Sequence, residues 1–89
     1  MEWTIQFSKK ARQQLEKLGP QVARRIFQFL FERVATAANP RSLGEALKGT
    51  EPGDLWRYRV GDYRVLVSIE DRDVRILVVA VGNRREIYR

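Results

Sequence analysis

Residues 2–7, EWTIQF, alternate: Trp3, Ile5 and Phe7 fall on one side, Glu2, Thr4 and Gln6 on the other. A period of two predicts a half-buried strand. The period then changes. Ser8 is placed to cap a helix in which Ala11, Leu15 and Leu18 recur at i, i+4 and i+7. Gly19 is suited to end that helix, and Pro20 to open the next at its first position. From Gln21 to about Ala37 the apolar residues are Val22, Ile26, Phe27, Phe29, Leu30, Phe31 and Val34. At about 100° per residue they cover roughly half the circumference. This helix is expected to touch both its hairpin partner and a sheet.

Residues 36–54, TAANPRSLGEALKGTEPGD, are rich in Gly, Pro, Asn and Ser. SLGEALKG has room for a short helical turn, but the whole reads as a surface connector. Three strands follow, at about 55–60, 63–69 and 74–81. Gly61-Asp62 suits a two-residue II′ hairpin turn, with glycine supplying the positive φ. EDRD, residues 70–73, joins the second pair and is expected to set Ile69 opposite Val74. The order β-α-α-β-β-β over residues 1–89 reads as one α+β domain.

The first turn sets the register: Val60 faces Tyr63, Arg59 faces Arg64 and Arg57 faces Leu66. Opposed residues share a face, and alternation carries that face along each strand. Trp56, Tyr58, Val60, Tyr63, Val65, Val67, Ile69, Val74, Ile76, Val78 and Ala80 therefore form an apolar face for the helices to cover. Leu55, Arg57, Arg59, Arg64, Leu66, Ser68, Arg75, Leu77 and Val79 form the other. Arginines are poor strand fillers, and a like-charged pair directly across two strands is unfavourable unless an anion sits with it. The tail, VGNRREIYR, adds Arg84, Arg85 and Arg89 around Tyr88. Guanidinium groups bind phosphate bidentately and aromatic rings stack on bases, a combination that suits RNA.

Composition narrows the chemistry. The formal charge is +6 with no cysteine and no histidine. Disulfides and thiolate metal sites are excluded, and the commonest general base near neutral pH is missing. The basic balance implies an anionic partner. With no long apolar run and a mixed polar start, the expectation is a cytoplasmic protein with no membrane, metal or cofactor.

LWRYRVGDYRVLVSIED, ILVVAVGNRREIYR and the LGEALKG connector together resemble the RelE side of the RelE/ParE toxin superfamily, over essentially the whole chain. The resemblance implies a small antiparallel sheet packed on one face against a helical hairpin. It also implies a type II toxin: an endoribonuclease that enters the ribosomal A site and cuts mRNA by transesterification. An antitoxin, expected to carry an acidic, helix-containing segment, would neutralise it. The family's basic sheet positions fall on Arg57, Arg59 and Arg64, its basic residue after the last strand on Arg84 and its terminal tyrosine on Tyr88. These are the candidate catalytic residues, with Arg75, Arg85 and Arg89 as further RNA contacts. Several relatives have lysines where Arg57 and Arg59 stand and a histidine at Asn83. Arginine stays protonated, so the general base is unassigned, with Tyr88, Glu86 or a proton relay through the ribosome and RNA as the candidates. Two other readings stay open: a ParE-like gyrase inhibitor acting by protein contact, and a catalytically weakened RNA- or antitoxin-binding relative.

Overall fold

A computed structural model describes residues 2–47, 55–85 and 87. The first strand, β1 (Thr4–Phe7), leads into α1 (Lys9–Leu18), whose first turn is capped by Ser8 Oγ accepting from the Ala11 N–H. Gly19 closes α1 with φ +94°, and Pro20 begins α2 (Pro20–Gln28). The second helix continues without a break as a π-helical turn, Phe29–Val34. That change of winding has a packing consequence. Four residues along an α-helix overshoot their starting direction by about 40°, and the wider π turn winds back. Ile26, Leu30 and Val34 thus form one row, all fully buried.

The half-circumference arc is accordingly narrower than the sequence predicts. Phe27 and Phe31, one position past the buried row, remain 38% and 49% exposed. They lie against each other and against Phe7 of β1, with ring centroids 5.5 to 6.4 Å apart.

The connector departs from a plain loop. Pro40–Leu43 form a 3₁₀ turn, and Glu45–Ala46 form a two-residue strand, β2. The hairpin strands β3 (Leu55–Val60) and β4 (Tyr63–Glu70) follow, then β5 (Arg75–Asn83). Among the described residues the sheet has five strands in the order β1-β5-β4-β3-β2. It is mixed: β1 joins parallel to β5, and the other pairs are antiparallel. The helices cover one face, so the layering is that of an α+β fold. No helix among the described residues is long and apolar enough to cross a membrane.

The β3–β4 register is the one expected, with Arg59 opposite Arg64 and a Gly61 φ of +60°. Two details of the next pair differ. Asp71–Asp73 form a 3₁₀ turn and Val74 adopts φ +48°, so Ile69 lies opposite Ile76 rather than Val74. A β-branched residue at positive φ is strained by about 1–3 kcal/mol. The carbonyl it presents accepts from the Thr4 N–H at 2.9 Å. Further on, Val67 pairs with Val78 but Leu66 pairs with Ala80, leaving Val79 as the extra residue of a bulge. The alternation therefore slips by one. Val81, not Ala80, enters the core cluster opposite Val65. The outer edge of β5 is satisfied from α1: Ser8 Oγ donates to the Val79 carbonyl and Gln14 Oε1 accepts from the Val81 N–H.

Tyr58 anchors the connector to the core. Its ring is fully buried against Phe29, and its hydroxyl donates to the Pro40 carbonyl at 2.8 Å. Burial pushes the hydroxyl up to about 12, so it remains a neutral donor. Nearby, Arg41 makes a bidentate pair with Asp71 at 2.6 and 2.8 Å, which holds that carboxyl below the usual range. Gly44 then passes close to β3: a Cβ there would sit 2.6 Å from the Arg57 carbonyl oxygen and 2.8 Å from Tyr58 Cδ1. Neither a backbone oxygen nor a buried ring can move aside cheaply. Gly44→Ala is expected to destabilise the fold by about 1–3 kcal/mol. Thermal unfolding checks it, with a fall in Tm of about 4–8 °C per kcal/mol for a domain of this size.

Candidate active site

The antiparallel ladder builds two rows on the face away from the helices. In the first, Glu45 of β2 is opposite Arg57, Arg57 opposite Leu66, and Leu66 opposite Ala80. In the second, two residues nearer the Gly61-Asp62 turn, Arg59 is opposite Arg64 and Arg64 opposite Gly82. Two residues of strand span about 7 Å, within reach of an arginine side chain.

Glu45 joins the rows. One of its carboxylate oxygens lies 2.7 Å from Arg57 Nη2, and the other lies 3.2 Å from Arg59 Nη2. The Arg57 side chain is 21% exposed and that of Arg59 60%, so Arg57 forms the floor of the site and Arg59 its rim. Glu45 itself is 56% exposed, leaving its carboxylate open to an incoming group. The like-charged pair Arg59–Arg64 is relieved from both sides. Glu45 takes Arg59, and Arg64 turns back to donate to the carbonyl oxygens of Gly61 and Tyr63 at 2.9 Å each.

The tail closes on this end of the sheet. A side chain at Gly82 would meet Ile87 Cδ1 at 3.2 Å, so Ile87 seats over Gly82 on the face that carries Arg64. The Ile87 N–H donates to the Asn83 carbonyl, and the Arg84 N–H to the Asp62 carbonyl, each at 3.0 Å. Arg84 is thereby fixed beside the hairpin turn. Arg85 follows, its N–H donating to Asn83 Oδ1 at 3.0 Å. Asn83, where relatives were expected to have a histidine, is thus the residue that shapes the tail's turn.

The structure brings together Arg57, Arg59 and Arg64, with the backbone of Arg84 and Arg85 next to them. Arg75 does not join them. It sits opposite Glu70 at the other end of β4 and β5 and is ion-paired with Glu70 and, at 3.5 Å, with Asp73. Alternation placed Arg75 on the right face but says nothing of its height along the strand. Tyr88, Arg89 and Glu86 lie outside the described residues.

Glu45 is the residue that the sequence reading missed. It stands in a Gly-flanked connector with no periodicity to mark it. The available signal was indirect: a face with too many cations needs a carboxylate, and the nearest one before β3 in a described strand is Glu45. Chemically, the arrangement offers guanidinium donors for a phosphate that gains negative charge, beside a carboxylate, a group type suited to general-base work.

The sequence pattern of the family described as ParE toxin of type II toxin–antitoxin system, parDE, matches residues 5–88. The chain is 30% identical over 89 residues to Toxin RelG of Mycobacterium tuberculosis, covering all of this chain and 99% of that one. Among solved structures it is similar to a chain of the toxin–antitoxin complex RelBE2 from Mycobacterium tuberculosis. The TM-score is 0.83 at 27% identity, covering 97% of this chain and 95% of the other. A chain of the archaeal RelE–RelB complex from Pyrococcus horikoshii gives a TM-score of 0.74 at 29% identity, covering 97% and 99%. With the family's sequence pattern matched over residues 5–88, a relative 30% identical over the full chain and the fold shared, the chain belongs to the RelE/ParE family of toxins of type II toxin–antitoxin systems.

Proposed function

We propose that the chain is a ribosome-dependent endoribonuclease that cuts mRNA in the A site. The observation that carries this reading is the convergence of Arg57, Arg59, Arg64 and Glu45 on one exposed sheet face. In the reaction the ribose 2′-oxygen attacks the adjacent phosphorus and the bond to the 5′-oxygen breaks. A 2′,3′-cyclic phosphate and a 5′-hydroxyl result. The attacking hydroxyl gives up a proton, and the leaving oxygen takes one. Arginine cannot accept the first proton; the Glu45 carboxylate can. The guanidinium groups hold the pentacoordinate phosphate, whose charge exceeds that of the ground state, and so favour the transition state over the substrate.

Partners follow from the same surface. The two solved structures above are toxin–antitoxin complexes, which supports a RelB-type antitoxin as the partner that restrains this chain. An acidic segment of that antitoxin laid over the arginine rows would compete with RNA for the same donors.

One observation favours a second reading. The matching family description is that of ParE, whose members share this fold, and a gyrase inhibitor acting by protein contact does not need the carboxylate–arginine cluster. Two assays separate the readings. In a defined translation extract, primer extension is expected to show toxin-dependent mRNA breaks at A-site codons. A gyrase supercoiling assay is expected to show no accumulation of cleaved DNA. Intact mRNA together with trapped DNA breaks would overturn the proposal in favour of the gyrase reading.

A further inference from the structure

The Gly61-Asp62 turn, at the edge of the site, is approached by guanidinium groups from both layers of the fold. From the sheet side, Arg64 donates to the Gly61 carbonyl at 2.9 Å. From the helix side, Arg25 of α2 lies against the same residue: a Cβ at Gly61 would be 2.8 Å from Arg25 Nη2 and 3.5 Å from its Cζ. Beside the turn, Lys17 of α1 lines a shallow groove of about 240 Å³ with Asn83 and Ile87, at the base of the Arg84–Arg85 tail. Basic side chains therefore continue past the open face, round the end of the sheet, and onto the helical layer.

Among the described residues the carboxylates beside this belt are Asp62 in the turn and the exposed Glu16, which precedes Lys17 on α1. Glu70, Asp71 and Asp73 are at the far end of the sheet and Glu45 is engaged by Arg57 and Arg59. Asp62 is the turn's own carboxylate, and its backbone carbonyl is already bound by Arg84. Both Arg25 and Lys17 are exposed, and neither side chain makes a hydrogen bond or ion pair among the described residues. Gly61 is exposed as well and has no side chain, so a polynucleotide crossing from one face to the other passes over it unobstructed.

We propose that Arg25 and Lys17 extend the RNA site around the turn, each holding a phosphodiester of the strand that flanks the one bound over Arg59 and Arg64. This rests on the RNA reading above and adds to it a path for the backbone. The recognition is electrostatic and sequence-independent, because both groups face phosphate rather than base edges.

The test is fluorescence anisotropy of the full chain on a short 2′-O-methyl single-stranded RNA, across about 50 to 200 mM salt. Each phosphate contact to a single strand contributes about 0.7 to the slope of log affinity against log salt. Arg25→Gln is expected to lower that slope by about 0.7 and the Arg25→Gln, Lys17→Gln pair by about 1.4. Arg25→Lys should keep it, and all variants should melt with the parent chain. Arg84→Gln serves as the reference on the tail. If its slope falls while that of Arg25→Gln does not, the path is wrong and the RNA reading stands. If the parent chain shows no salt-dependent binding at all, the RNA reading fails, and the path with it. If Arg25→Gln instead weakens only the complex with antitoxin, the residues form a protein contact and the inference is overturned.

Discussion

Replacing Arg84 by alanine is expected to slow mRNA cleavage by about 10²- to 10³-fold while leaving the melting temperature unchanged. The residue is exposed, and its side chain makes no hydrogen bond or ion pair among the described residues, so the fold does not depend on it. Its backbone is nevertheless fixed, since its N–H is bonded to the Asp62 carbonyl at the end of the sheet that carries Arg59 and Arg64. The backbone thus sets where the side chain starts, beside the site, while its guanidinium is left unused among the described residues and available to a phosphate. Arg64→Ala should cause a fall of the same order, with a second effect. Arg64 also braces the turn through the Gly61 and Tyr63 carbonyls, so a modest loss of stability accompanies the loss of rate. Arg84 and Arg64 stand at the same end of the sheet, within reach of one phosphate in the proposed reaction, so the double variant should lose less than the product of the single losses. Cleavage near the parent rate in the double variant, measured by primer extension in a defined translation extract, would remove both residues from the mechanism.

What made this cluster legible beforehand was the hairpin. A strand has a period of two, and a two-residue turn admits only one pairing. Gly61-Asp62 therefore sufficed to place Arg57 opposite Leu66 and Arg59 opposite Arg64, as observed. Ser8, Gly19 and Pro20 marked the helix ends for equally local reasons. What was not legible depends on contacts distant in sequence. The bulge at Val79 lies in an unbroken run, ILVVAV, in which every residue is an acceptable neighbour for every other. Nothing local indicates where the alternation slips. The π turn that aligns Ile26, Leu30 and Val34 answers to the sheet beneath it, not to its own sequence. The strand Glu45–Ala46 is too short to show any period and exists because β3 offers an edge to pair with. The missing half of the site was therefore the half supplied by the connector.

That half carries the more discriminating prediction. In Glu45→Gln the shape is kept, but the proton acceptor is removed, and general-base contributions are about 10²- to 10⁴-fold. Cleavage should fall by that order under single-turnover conditions. Binding should move the other way. In the free chain Glu45 holds Arg57 and Arg59, an anionic competitor for the place a phosphate would take. Neutralising it leaves one more positive charge facing the RNA, so affinity for ribosomes carrying an mRNA with a 2′-deoxy cleavage site should be unchanged or tighter. Glu45→Asp, which keeps the carboxylate on a shorter stem, should recover part of the rate. A glutamate that only fastened β2 to β3 would behave differently. Its loss would loosen the arginine rows, and binding, cleavage and melting temperature would decline together, with glutamine and aspartate about equally harmful. A fall in cleavage with binding undiminished is thus what the proton-acceptor assignment requires, and a parallel fall in both would refute it.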